Sequence, residues 1–177
     1  YDLAYKWLTF NLTYEHVSDP IYQTVEMYKD NATIGLMRMI NGKSYNNVSS
    51  MLTLQPDFGI WHPVLSAMVE KQWFKLETRD GHYLNKPVAE LKFNNTFDTK
   101  WAMFSVMMTY ITKGYEENLY IYKPLFNTDL SIYKGFLKDC LTLQLYVSDV
   151  FGTNDSHIIG KYGKLKETIF DEFSTSK

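Results

Sequence analysis

The stretch that most constrains this chain is His62–Asn95, HPVLSAMVEKQWFKLETRDGHYLNKPVAELKFNN. It reads as one amphipathic helix passing through a polar turn into a strand. Pro63 suits a first helical position, where a missing N–H costs nothing. Leu65, Val69, Gln72, Trp73 and Leu76 then fall on one stripe with Met68 beside it, while Ser66, Glu70, Lys71, Lys75 and Glu77 face away. Arg79-Asp80-Gly81-His82 breaks the helix. After Pro87, Val88 to Phe93 alternates loosely, as a strand does.

The same reading extends to both sides. Lys6–Tyr14 sets Leu8, Phe10, Leu12 and Tyr14 against Thr9, Asn11 and Thr13, a period-two strand. Asp19-Pro20 ends it, Tyr22–Tyr28 makes a second strand, and Thr33–Ile40 a third that closes on Asn41-Gly42. Lys43–Gly59 is polar and interrupted, and is expected to be a loop. Beyond the opening stretch, Trp101–Thr112 is a long apolar strand and Leu119–Tyr122 a short edge strand. Asp129 is a good N-cap for a second long helix carrying Leu130, Tyr133, Leu137, Leu141 and Leu145, broken at Gly152-Thr153-Asn154-Asp155. Lys164–Phe173 is a last amphipathic segment. Strands, long helix, strands and broken long helix predict an α+β fold, an antiparallel sheet with two helices across one face.

A chain of 177 residues, 45% hydrophobic and 21% charged, is expected to fold as one domain. Its net charge of −2 steers it neither to nucleic acid nor to an anionic membrane. No apolar run approaches the roughly 20 residues of a membrane-spanning helix. The chain opens on Tyr1 rather than Met, as a mature or trimmed chain would, so a removed signal peptide or a missing anchor would leave no trace in it. A single Cys140 forbids an internal disulfide. Against the reducing compartment this suggests stand five Asn-X-Ser/Thr glycosylation triplets, at Asn11, Asn31, Asn47, Asn94 and Asn154, which favour a secreted or cell-surface glycoprotein.

Catalytic chemistry is missing from the pattern. His16, His62, His82 and His157 have no metal-ligand spacing, and Cys140 lies among leucines as a buried structural thiol would. No nucleophile elbow, phosphate-binding loop or dinucleotide fingerprint is present. The expectation is a protein without enzymatic activity, cofactor or metal.

Residues 8–95 resemble the first half of an MHC class I-like platform, above all its divergent, peptide-free members. Leu8-Thr9-Phe10-Asn11-Leu12-Thr13 is similar to the first strand of those proteins, and His62-Pro63-Val64-Leu65 with Pro87–Phe93 to their helix-to-strand passage. Trp101-Ala102-Met103-Phe104, the turn Tyr115–Tyr120 and the helix from Asp129 follow in matching order. The resemblance implies a single platform of residues 1–177, its first half 1–86 and its second 87–177. Any membrane-proximal Ig-like domain or anchor would lie outside this chain. It also implies a non-enzymatic glycoprotein, viral and immune-evading, that engages a natural-killer receptor or an MHC-like ligand; a host stress-induced ligand of such a receptor is the alternative. Cys140 stands where the family's helix cysteine would be, but its strand partner falls near Asn94 or Asn95, so packing must replace a bridge worth about 2–5 kcal/mol. The Thr-x-x-Lys-Trp cluster that grips a peptide terminus has no equivalent in Thr128–Lys138, so no presented peptide is expected; beta-2-microglobulin is not expected as a partner either. Receptor contacts would come from the helix tops, Glu70, Lys71, Lys75, Lys134 and Lys138.

A winged-helix DNA-binding regulator is the alternative from another class, with His62–Glu77 as recognition helix and Glu77–Asn85 as wing. Its helix would need Lys, Arg, Asn or Gln at an exposed start. Trp61, His62 and Ser66 stand there, so no nucleic-acid partner is expected.

Overall fold

The computed structural model describes residues 1–28, 31–75, 83–116, 119–137, 140–160 and 168–172, and the side chains of most of these. The described residues contain strands and no helix. In chain order the strands are β1 (Asp2–Tyr5), β2 (Leu8–Val17), β3 (Ile21–Tyr28), β4 (Asn31–Asn41), β5 (Tyr45–Leu54), β6 (Trp61–Lys75), β7 (Tyr83–Leu84), β8 (Val88–Asp98), β9 (Met103–Ile111), β10 (Gly114–Glu116), β11 (Leu119–Ile121), β12 (Leu125–Phe136), β13 (Leu141–Val147), β14 (Ser156–Gly160) and β15 (Thr168–Glu172).

One antiparallel sheet dominates, in the order β1-β2-β5-β6-β8-β9-β12-β13, with β7 added beside β6. The remaining strands prolong it at one end. After Ser18–Pro20, β2 carries on as β3, which pairs with β4; the Gly42 N–H donates to the Pro20 carbonyl at 2.7 Å, where the two ribbons rejoin. In the same way β10 and β11 prolong β9 and β12, and β14 runs on from β13 to pair with β11 and β15. We call this the hairpin end. The opposite, turn end carries the connections Lys6-Trp7, Gln55–Ile60, Thr99–Ala102 and Leu137–Cys140. These turns are locally specified. Lys6 has φ 47° and Gly59 φ 76°, and the Gly59 N–H donates to Asp57 Oδ1 at 2.9 Å. Thr99 Oγ1 accepts the Ala102 N–H at 3.2 Å and donates to the Ala102 carbonyl at 2.6 Å.

The two long helices and the α+β platform are therefore corrected to strands. The first expected helix is β6, and the second is the β12–β13 hairpin. The reason lies in the spacing. Leu65, Val69 and Trp73 stand four apart in β6, as do Leu141 and Leu145 in β13. Four is close to one helical turn, but it is also an even number and so keeps one face of a strand. What decides is the interleaved set: Ala67 completes the β6 row, and Leu143 and Val147 complete that of β13. Pro63 is tolerated because β6 has by then outrun β5, whose last rung is Leu54↔Leu65, and one edge is free. The expected loop Lys43–Gly59 is mostly β5. The last amphipathic segment falls partly on β15 and otherwise lies outside the described residues. The junction at 86/87 sits inside the sheet, since β6 pairs directly with β8.

Among the described residues no layer covers this sheet. Among the described residues the buried apolar side chains are Phe74, Leu84 and Val88, all near the hairpin end. Tyr22 and Tyr45 meet the Phe74 ring edge-on at 5.4 and 5.3 Å, and Gln72 Nε2 donates to the Leu84 carbonyl at 3.0 Å. That cluster fastens the β3–β4 hairpin to the sheet. Among the described residues it is far smaller than the interior that a soluble domain of this length buries.

Candidate membrane-spanning surface

In an antiparallel pair, residues directly opposite each other project to the same face, so a rung can be followed from strand to strand. One such row runs Tyr5, Leu8, Leu54, Leu65, Phe93, Met108, Thr128. Its neighbour toward the hairpin end on that face is Leu3, Phe10, Leu52, Ala67, Leu91, Tyr110, Phe126. The row between them, on the other face, is Ala4, Thr9, Thr53, Ser66, Lys92, Thr109, Asn127. β13 adds Leu141, Leu143, Leu145 and Val147 to the apolar face and Thr142, Gln144 and Tyr146 to the polar one.

The carboxylates are confined to one face. The carboxylates of the sheet, Asp2, Glu15, Glu70, Glu90, Asp98 and Asp129, all register on the polar face. There they sit in a hydrogen-bonded lining. Asn11 donates to the Asp2 carboxylate, Asn47 Nδ2 to Glu70 Oε1 at 2.8 Å, Asn127 Nδ2 to Asp129 Oδ1 at 3.1 Å, and Lys92 pairs with Glu90 at 2.8 Å. Asp129 also accepts the Asp149 N–H at 2.9 Å, and Asp149 accepts those of Thr153 and Asn154 at 2.8 and 3.2 Å, which pins the irregular passage from β13 to β14. Asp129 and Asp149 are thus occupied by backbone donors, and among the described residues no group of carboxylates, histidines and cysteines fits a metal ion.

The apolar face is exposed where a soluble protein would hide it. Leu141, Leu143 and Leu145 are 56, 61 and 57% accessible, and a shallow groove lined by Leu65, Leu91, Phe93, Met108 and Phe126 opens outward. Aromatic residues border this face at both ends: Tyr5, Trp61, Phe97, Phe104 and Phe136 toward the turns, and Tyr14, Trp73, Tyr110 and Phe126 toward the hairpins. Trp61 and Phe97 lie nearly parallel, with centroids 6.3 Å apart, and the Trp61 indole N–H donates to Asn95 Oδ1 at 3.2 Å. Asn95, a polar side chain on the apolar face, thereby has its carbonyl oxygen paired. Strand lengths fit as well: β2 and β5 have 10 residues, β8 11, β9 9 and β12 12. A membrane-crossing strand takes about 9–11. Beyond the sheet at the hairpin end, burial and then the neighbouring Tyr120 push the Tyr115 phenol above its ordinary range.

A long antiparallel sheet that is apolar outside, polar inside and edged by aromatics is the wall of a membrane-spanning β-barrel. The chain belongs to an outer membrane protein beta-barrel family, whose model matches residues 1–175. No curated protein and no solved structure matches it.

This membership corrects the MHC class I-like resemblance, the immune-receptor role, the winged-helix alternative and the secreted or cell-surface location; the family points to a bacterial outer membrane. The described ones among the expected contact residues are not brought together. Glu70 and Lys71 are neighbours on opposite faces of β6, Lys134 lies on the apolar face of β12, the side chain of Lys75 is not described, and Lys138 lies outside the described residues. Asn11, Asn47 and Asn94 stand mid-strand on the polar face, where Asn94 Oδ1 accepts Ser105 Oγ–H at 2.9 Å. Asn31 is in β4, and Asn154 lies in the passage before β14. Cys140, expected inside a helix, is exposed at a turn. His16 meets Asn46 Oδ1 at 2.8 Å, His62 Asp57 at 3.3 Å and His157 the Tyr122 hydroxyl at 3.4 Å; His82 lies outside the described residues.

Proposed function

We propose that this chain forms an arc of barrel wall in a bacterial outer membrane, with its polar face lining a water-filled passage for polar solutes. The observation that carries this is that the carboxylates of the sheet all register on one face while exposed apolar rows run across the other. An exposed apolar sheet is stable only against lipid, and backbone groups within the bilayer must be paired, each unpaired one costing several kcal/mol. Closure of the barrel therefore pairs the outer edges of β1 and β13, which are unpaired among the described residues. The role needs no catalysis and no nucleic-acid partner.

Such barrels have short periplasmic turns and longer outer loops. The turn end then faces the periplasm and the prolonged hairpins reach outside. Cys140, the single cysteine of these residues, reports on this directly. In cells carrying the full-length protein, a maleimide too large to cross the outer membrane is expected to label Cys140 only after permeabilisation, with Cys140→Ser as control. Labelling of intact cells would invert the orientation, and recovery of the protein in the soluble fraction would overturn the wall itself.

A further inference from the structure

We infer that Lys71 and Lys134 hold net-anionic lipid phosphates at opposite rims of the wall; the inference rests on the membrane reading above. On the strands of the sheet, these two side chains are the described ammonium groups that register on the apolar face, which carries no carboxylate among the described residues. Each stands one step past a final rung. β6 and β8 part at Glu70↔Val88, just before Lys71, and β12 and β9 part at Tyr133↔Met103, just before Lys134. Lys71 is thus at the hairpin rim and Lys134 at the turn rim.

Both side chains bend the same way with respect to the band, toward the nearer rim. Lys71 Nζ lies 5.0 Å from the centroid of Trp73, and Lys134 Nζ 5.1 Å from that of Phe136. In each case the ring belongs to the residue two positions closer to the edge, on the same face. An ammonium that runs its methylenes along apolar surface and delivers its charge to the interface is a snorkelling lysine, and the ring beneath it partly offsets the lost hydration. With no carboxylate on that face among the described residues, the counter-charge is assigned to the surroundings of the protein. At the depth of an aromatic border it is a lipid phosphate.

The test uses the full-length protein in phosphatidylcholine vesicles into which brominated phosphatidylglycerol is titrated, with tryptophan quenching as readout. A lysine at an anionic interface is worth about 1 kcal/mol, or about fivefold in local lipid preference. Wild type should favour phosphatidylglycerol, the K71M/K134M double variant should lose about fivefold per site, and K71R/K134R should keep the preference. Equal preference in wild type and K71M/K134M, or none in wild type, would overturn the inference. Brominated phosphatidylcholine separates this from failure of the wall. If it quenches wild type and double variant alike, both are inserted and only the lysines are on trial; if it quenches neither, the wall reading falls instead.

Discussion

Met107 and Met108 are adjacent, identical in chemistry, and on opposite faces of β9. Met107 is paired with Asn94 on one side and Asp129 on the other, whereas Met108 is paired with Phe93 and Thr128. An arginine near the middle of a lipid-facing band costs about 2–4 kcal/mol, and lumen positions are far more tolerant. Met108→Arg should therefore destabilise by about that amount, while Met107→Arg, beside the Asp129 carboxylate, should stay within about 1 kcal/mol. Urea unfolding from lipid vesicles measures both, and equal losses would mean that the two faces share one environment. The residue scale is also where the glycosylation signal misleads. Asn11 and Thr13, Asn47 and Ser49, and Asn94 and Thr96 are two apart, and so share the polar face of a strand. A polar row rich in Asn, Ser and Thr writes the acceptor triplet as a by-product of period two. The faces were thus present in the sequence, but were read as sites of modification.

At the scale of elements, the first strand, the 33–40 strand and the 101–112 strand are legible, because the first alternates, the second ends on Asn41-Gly42 and the third is a sustained apolar run. The two long segments read as helices are not, since leucines four apart satisfy both periods. Leu137 separates the readings by sign. It has φ 54° in the β12–β13 connection, a region that costs a side chain about 1–2 kcal/mol and a glycine almost nothing. Leu137→Gly should raise stability by about 1 kcal/mol. In the middle of a helix the same change would lower it by about as much. An unfolding midpoint that falls would bring the helix back.

For the molecule as a whole, composition pointed the wrong way. A chain 45% hydrophobic, with no run long enough for a helical span, has the statistics of a soluble domain. A barrel wall has them too, because each strand spends only half its residues on lipid. The distinction appears only when the strands are laid side by side and their alternations fall into phase, and that depends on register between distant segments. The most direct test of that phase is a cysteine scan of β9, one position at a time from Met103 to Ile111, in the full-length protein with Cys140→Ser, held in outer membrane vesicles and exposed to a small water-soluble maleimide. A lipid-facing wall predicts strict alternation: Met103, Ser105, Met107, Thr109 and Ile111 positions react, and Phe104, Val106, Met108 and Tyr110 positions do not. Reactivity that recurs every three or four residues, or that is uniform along the strand, would contradict a two-faced sheet in the membrane.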